Sequence, residues 1–404
     1  MKIRHFLYAL LIPFLLVCCG KSGEDEGNGN QNGQETQDPV DELAPEVKDG
    51  DEVLATNPNV DKFLNDIHYP THDCSFTSLL EWAQENDVMV CPGSSDKPAT
   101  YTIRWEGSTS EKYSVTLTEG EGDNAKTREY SVEDALYREI SNLFPGAHYS
   151  FIVKDSKGEI VKSGEFSAKG RLHQLFFKSG VRNCRDLGGW ATTDGKTVRY
   201  RMVYRGGRLE PGKIISAGKR DIEYEGIKAQ LDLRGHTTGG NQEYLDRADS
   251  PIVAIFGDEA EFLAPCIEEG YSQMLVNDKE KTRQCMQFIM DCVDKNKPVY
   301  FHCSLGRDRT GTVAMLTLGI LGVPEGDISQ EYELTQFSTH GYATSEGEKT
   351  KMTRKVDYRG AADVIWGYVN EAAGETFRDG VEKYLIEIGI SKADIDKFRS
   401  NMLQ

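Results

Sequence analysis

"VYFHCSLGRDRTGTVAML", residues 299–316, changes character in its middle. It opens on β-branched and aromatic residues, closes on apolar residues at helical spacing, and sets one cysteine and two arginines around Gly306 in between. A strand ending at Cys303, a loop through Gly306 and a helix starting near Thr310 aim successive backbone N–H groups at one point before the helix N-terminus. That convergence is a cradle for an anion. A thiol is a poor nucleophile at neutral pH until its thiolate is stabilised, and the same cradle serves a thiolate and a phosphate alike. Arg309, six residues after Cys303, closes the ring with a planar fork that matches two phosphate oxygens. Gly306 permits the tight turn, and the Thr310 hydroxyl is placed to donate to the cysteine sulfur as it leaves.

His-Cys-x5-Arg-Thr-Gly at this spacing resembles the signature of the cysteine-dependent protein tyrosine phosphatase superfamily. The likeness extends through "VRNCRDLGGWATTDGKTVRYRMVYRGGRL" (181–209), "LDLRG" (231–235), "LGVPEGDISQEYELT" (321–335) and "YLIEIGISKADIDKFR" (384–399). Together these look like the bacterial tyrosine phosphatases whose best-known members are secreted by mycobacteria. The resemblance implies attack of Cys303 on phosphorus, a cysteinyl-phosphate, and hydrolysis by water, with no metal and no cofactor. It implies substrate contacts from the loop residues Ser304, Leu305, Gly306, Arg307 and Asp308, whose N–H groups together with Arg309 stabilise the equatorial oxygens.

The proton donor to the leaving oxygen is open, because no Trp-Pro-Asp loop is present. Asp232 in "LDLRG" matches the family's Asp-Leu-Arg motif and is the first candidate; Asp308 inside the loop and Asp258 in "FGDEAE" are the others. The alternative for Asp232 is that it pairs with Arg234 or caps a loop. Asp186 is expected to hold backbone or Arg185, His302 to pack behind the loop, and Arg182, Arg205 and Arg208 to line the entrance or face solvent. Of the loop positions where lipid phosphatases of the superfamily carry basic residues, the first after the cysteine is Ser304 and only the fourth, Arg307, is basic. Phosphotyrosine protein, an inositol phosphate or phosphoinositide, and phosphorylated small molecules all stay open as substrates.

Outward from the loop, strands ("IKAQLDLRG", "KPVYFHC") alternate with helical patterns ("EKTRQCMQFIMDCVDKN", "AADVIWGYVNEAAG", "FRDGVEKYLIEIG") across 171–404. This reads as an α/β phosphatase domain, a parallel-type sheet flanked by helices. Residues 88–169 instead carry short alternating runs separated by turn residues, which reads as an antiparallel β-sandwich of about seven strands. Leu143, Pro145, Gly146 and Tyr149 in "NLFPGAHYSF" resemble the tyrosine corner of fibronectin type III domains, with Trp105 as a core partner. Residues 61–87, with the helical "FTSLLEWAQEN", are expected to be an extension packed on that sandwich, which could itself serve as a spacer or bind a protein or glycan.

The N-terminus has a basic start, an apolar run from Phe6 to Val17, and then Cys18 and Cys19. The run is too short to span a bilayer, and "LVCCG" (16–20) resembles a bacterial lipobox with cleavage before Cys19, whose thiol would carry lipid. On this reading residues 1–19 are a lipoprotein signal, and the mature chain is exported and lipid-anchored in a bacterial envelope, at the outer membrane or cell surface. Residues 20–60 hold 11 Asp/Glu against two Lys and read as a disordered acidic tether, which carries half of the net charge of −18. No basic stripe follows, which argues against nucleic acid as a partner. The nine cysteines make no zinc-like spacing. Cys74 with Cys91 has the makings of a disulfide in an exported chain, and Cys184, Cys285 or Cys292 could shield Cys303 from oxidation. The reading outside enzymology is a surface protein that binds through the sandwich.

Overall fold

The computed structural model describes residues 43–66, 76–177, 181–209, 212, 214–235, 243–341 and 358–404. The signal, the lipidation position Cys19 and Cys74 lie outside the described residues.

Short β-rich runs in the first half form β1 (Asp51–Leu54), β2 (Tyr101–Arg104), β3 (Tyr113–Glu119), β4 (Lys126–Val132), β5 (Tyr137–Ile140), β6 (His148–Lys154) and β7 (Ile160–Lys169). A five-stranded sheet in the order β1-β7-β6-β3-β4 and the β2-β5 pair share one core, in which Trp105, Val115, Leu117, Tyr149, Phe151 and Phe166 are buried. The alternation that predicts these strands is visible in β3, where every second residue is buried. Tyr149 makes the corner: its hydroxyl accepts from the Phe144 N–H at 2.7 Å and donates to Glu119 at 3.1 Å.

Three expectations need correction. The chain is already ordered well before residue 60, because β1 pairs in parallel with β7 and Val47, Val53 and Ala55 are buried; the acidic composition concealed a strand. Only six of the seven strands fall within 88–169, and the sheet is not wholly antiparallel. Helices α1 (Pro58–Asn65) and α2 (Phe76–Glu85) pack on the second module and not on the sandwich: the Phe63 ring lies 5.1 Å from Trp82 and 4.9 Å from Phe337, within the large α/β core.

That second module adds β8 (Gln174–Leu175), β9 (Cys184–Asp186), β10 (Val203–Gly206), β11 (Ala229–Asp232), β12 (Glu261–Leu263) and β13 (Val299–His302) in the order β12-β11-β13-β10-β9-β8. Strands β12, β11, β13 and β10 run parallel, while β9 and β8 continue the sheet antiparallel, so it is mixed. Every residue of β11 and β13 is buried, as both faces of a helix-covered parallel sheet require. The helices are α3 (Ser216–Glu225), α4 (Pro251–Phe256), α5 (Tyr271–Asn277), α6 (Lys279–Asp294), α7 (Asp308–Leu321), α8 (Glu325–Glu333), α9 (Tyr358–Trp366), α10 (Phe377–Glu387) and α11 (Lys392–Met402). From Thr310 to Leu321 α7 is buried on all sides, the mark of a helix at the centre of its domain. Its N-terminus meets the C-terminal end of β13, where open α/β sheets place their ligands.

Candidate active site

The loop between β13 and α7 is fixed through its carbonyls. Ser304 O accepts from the Arg208 N–H at 3.1 Å, Leu305 O from Asn183 Nδ2 at 3.3 Å and His340 Nδ1 at 3.1 Å, and Gly306 O from Asn183 Nδ2 at 2.9 Å and Arg205 Nη2 at 2.6 Å. A trans peptide unit points its C=O and N–H in opposite directions. Three consecutive carbonyls tied outward therefore turn the N–H groups of residues 305–307 inward. Gly306 is indispensable to this path, since its φ is +69° and a Cβ there would lie 2.3 Å from the Gly206 backbone.

Behind the loop stands a buried ionic support. Glu331 on α8 accepts from Arg185 Nε at 2.6 Å and Arg205 Nη1 at 2.7 Å, and Arg185 Nη1 reaches Asn183 Oδ1 at 2.5 Å. Arg205 is thus neither an entrance residue nor solvated, being fully buried. Asp186 holds backbone, one of the two roles expected of it: it accepts from the N–H of Gly188 and of Arg201. His302 packs behind the loop as expected, 3.1 Å from Cys303 O and 2.9 Å from Gln230 Nε2.

Cys303 is 3% exposed at the floor of the cradle. Arg309 is anchored along one edge, donating from Nη1 to Ile267 O at 2.8 Å with Glu243 3.9 Å from Nη2. The Thr310 hydroxyl is buried and makes no hydrogen bond among the described residues. Cys184 and Cys285 are free and buried, and burial pushes their thiols far up; burial likewise pushes Cys292 up to about 12. Thiols so reluctant to ionise are poor partners for disulfide exchange with Cys303. Cys91 is also a free thiol, and burial pushes it up to about 12.

The three candidate proton donors separate cleanly. Asp232 is fully buried and accepts from Arg234 Nε and Nη2, the Arg234 N–H and the Leu245 N–H. Burial works to raise its carboxyl, but the neighbouring His302 and the Arg234 guanidinium outweigh it and hold the group below the ordinary carboxylate range. With no exposed surface and both oxygens held by Arg234 and the Leu245 N–H, the Asp232 carboxyl cannot reach a leaving group, so the expectation for Asp232 is corrected: it pairs with Arg234. Asp258 is exposed on the turn before β12, beyond the N-terminal end of a parallel sheet whose opposite end carries the loop. Asp308 remains. Its side chain is 37% exposed in the first turn of α7, bonded to the Tyr271 hydroxyl at 2.5 Å and to Arg307 Nε at 2.7 Å. Tyr271 is in turn 2.6 Å from the Tyr332 hydroxyl. Arg307, expected to contact substrate, is instead turned onto Asp308.

Sequence reasoning missed Asn183, Glu331, Tyr271, Tyr332, His340 and the upstream Asp96, which accepts from the Asn183 N–H at 3.0 Å. Asn183, Glu331 and Tyr332 stood inside quoted motifs and could have been found as buried polar residues demanding partners; Tyr271, His340 and Asp96 carry no local signal.

Residues 178–404 match the model of the family described as Tyrosine phosphatase family. A protein of Cupriavidus necator named as a tyrosine-protein phosphatase is 29% identical over 188 residues, 41% of this chain and 64% of that protein. The tyrosine-protein phosphatase of Nostoc commune is 25% identical over 213 residues, 48% of this chain and 72% of that protein. Among solved structures, Pseudomonas aeruginosa TpbA in complex with pTyr is 13% identical, covering 48% of this chain and 91% of that one, with a TM-score of 0.28. The Yvh1 phosphatase domain from Chaetomium thermophilum is 16% identical, covering 36% and 85%, with a TM-score of 0.23.

Proposed function

The chain belongs to the tyrosine phosphatase family, and on that premise we propose that it hydrolyses phosphomonoesters, phosphotyrosine foremost, through a Cys303 cysteinyl-phosphate. The observation that carries this reading is the outward tethering of the Ser304, Leu305 and Gly306 carbonyls, which leaves N–H groups facing the thiol. Cys303 Sγ attacks phosphorus, the S–P bond forms and the P–O bond to the leaving group breaks. Asp308 delivers its proton to the departing oxygen. The deprotonated Asp308 then takes a proton from water as it attacks phosphorus, the S–P bond breaks, and inorganic phosphate leaves with the thiolate restored. Charge on the equatorial oxygens is met by the loop N–H groups and by the free edge of Arg309. Arg307, held on Asp308, is not placed to hold a second phosphate, which weighs against an inositol phosphate or phosphoinositide as the preferred substrate.

The same proposal places the enzyme in the bacterial envelope, lipid-anchored through Cys19, with the fibronectin-like sandwich carried beside the catalytic module. The test is phosphate release by the full chain from a phosphotyrosine peptide, a phosphoserine peptide and inositol hexakisphosphate without added metal. Release from the first that Cys303→Ser abolishes supports the reading; release that persists in Cys303→Ser overturns it.

A further inference from the structure

The loop that faces the phosphate is held from two sides, and both supports lead back to one carboxylate upstream of the family-matched residues. Residues 91–95 run along 336–338: the Cys91 N–H donates to Gln336 O at 2.9 Å, the Gly93 N–H to Ser338 O at 2.9 Å and the Ser95 N–H to Phe337 O at 2.8 Å. The contact is close enough that a Cβ on Gly93 would sit 2.2 Å from Phe337 O. Next in the chain, Asp96 is 5% exposed. Its Oδ1 accepts from the Asn183 N–H at 3.0 Å and from Ser338 Oγ at 2.5 Å, and its Oδ2 from the Thr339 N–H at 2.8 Å.

Each of those donors continues to the loop. Asn183, whose φ of +58° places it in the left-handed region, sends Nδ2 to Leu305 O and Gly306 O. Ser338 Oγ accepts from the His340 N–H at 3.0 Å, and His340 Nδ1 meets Leu305 O at 3.1 Å. The Leu305 carbonyl is thereby gripped from both sides by residues that share Asp96. We propose that Asp96 is a positioning residue of the active site, which sets the direction of the loop N–H groups through Asn183 and His340 and makes the segment before residue 178 part of the catalytic apparatus. The proposal rests on the phosphatase reading only for its kinetic readout, since the cradle can be probed without turnover.

An Asp96→Asn side chain keeps the shape but can present an amide donor to N–H and O–H donors. Leaving buried donors without an acceptor corresponds to a loss of about 10- to 100-fold in kcat/KM, with the larger part in kcat because the displaced groups face the transition state. In the full chain, three readouts are compared for wild type, Asp96→Asn, Asn183→Ala and the double variant: phosphotyrosine peptide hydrolysis, iodoacetate alkylation of Cys303 at pH 6, and protection from alkylation by inorganic phosphate. The expected result is slower alkylation, weaker phosphate protection and lower kcat in each single variant, with the double variant no worse than Asn183→Ala by more than a few-fold, because part of the Asp96 effect runs through Asn183 and only the His340 arm is left to lose. Wild-type alkylation and protection in a folded Asp96→Asn, or full additivity in the double variant, overturns the proposal. If Asp96→Asn does not fold, Ser338→Ala decides: it cuts only the His340 arm, and an alkylation rate equal to wild type refutes the two-sided grip. If wild type protects Cys303 with phosphate yet cleaves none of the substrates, the function reading fails while the positioning role stands.

Discussion

Two neighbouring strands end at the same edge of the sheet with the same residue types, and only one end is equipped for chemistry. At the end of β11 stand Asp232 and Arg234, both at most 2% exposed, each satisfying the other. After β13 come Asp308 and Arg309, whose side chains are 37% and 15% exposed and bond to different partners, Tyr271 and Arg307 on one side, Ile267 on the other. Spacing explains the difference. Residues i and i+2 at the end of a strand point the same way and close on each other, whereas Asp308 in the first turn of α7 pairs back onto Arg307 and leaves Arg309 to the Ile267 carbonyl. Arg309 thereby keeps its guanidinium from being neutralised by the adjacent carboxylate, and Asp308 stays partly exposed. The closed pair still contributes: Arg234 bridges to Ile267, and Ile267 O anchors Arg309.

The largest effect is expected at the open end. Arg309→Lys keeps the charge but replaces a planar fork by a point charge that cannot hold Ile267 O and two phosphate oxygens together. Phosphotyrosine kcat/KM is expected to fall about 10³-fold with the melting temperature nearly unchanged. Asp308→Asn comes next, about 10²-fold on an unactivated aryl phosphate and little on p-nitrophenyl phosphate, whose leaving oxygen needs no proton. Equal losses on both substrates would remove Asp308 from the acid role.

Asp232→Asn tests the closed end and should show the opposite profile. It leaves the Arg234 guanidinium buried without its counter-charge, a defect that costs about 3–5 kcal/mol. The expected outcome is a melting temperature lower by about 10 °C or more, measured by circular dichroism, with the leaving-group dependence of the remaining activity as in wild type. A leaving-group effect like that of Asp308→Asn would return Asp232 to the chemistry.

The reaction centre was legible because the cradle is local. Cys303, Gly306 and Arg309 lie within one strand–loop–helix turn, and their roles follow from backbone direction alone. The proton donor was legible only as a choice among three carboxylates, since what separates Asp232 from Asp308 is which partners satisfy them in three dimensions. The core of the first module was legible as alternation, yet β4 and β1 went unread because their alternating positions carry charged residues such as Arg128, Glu129 and Glu52. The supports of the loop were hidden for a different reason. Asp96, Asn183, Glu331 and His340 are far apart in sequence, and no periodicity marks a residue whose partners lie on other elements.

A third carboxylate–arginine pair extends the comparison to the junction of the two modules, where spacing along the chain has no influence. Glu119 on β3 accepts from Arg201 Nη1 at 2.5 Å and Nη2 at 2.8 Å and from the Tyr224 hydroxyl at 2.9 Å. Burial pushes the Glu119 carboxyl up, but the Arg201 fork outweighs it and, with Tyr224, brings the group from its ordinary 4.5 down to about 2. A carboxyl lowered by folding adds stability at every pH above its unfolded value, and that contribution disappears as the pH falls through the folded one. Wild type should therefore lose melting temperature between pH 4.5 and 2, while Glu119→Gln, less stable at pH 7 by a few degrees, should follow a flatter curve that meets the wild-type one near pH 2. Parallel curves over that window would mean that the junction pair contributes geometry and no net stability, as many exposed pairs do. Kinetic constants at pH 7 should differ little between the two proteins, because Glu119 makes none of the contacts that orient the loop.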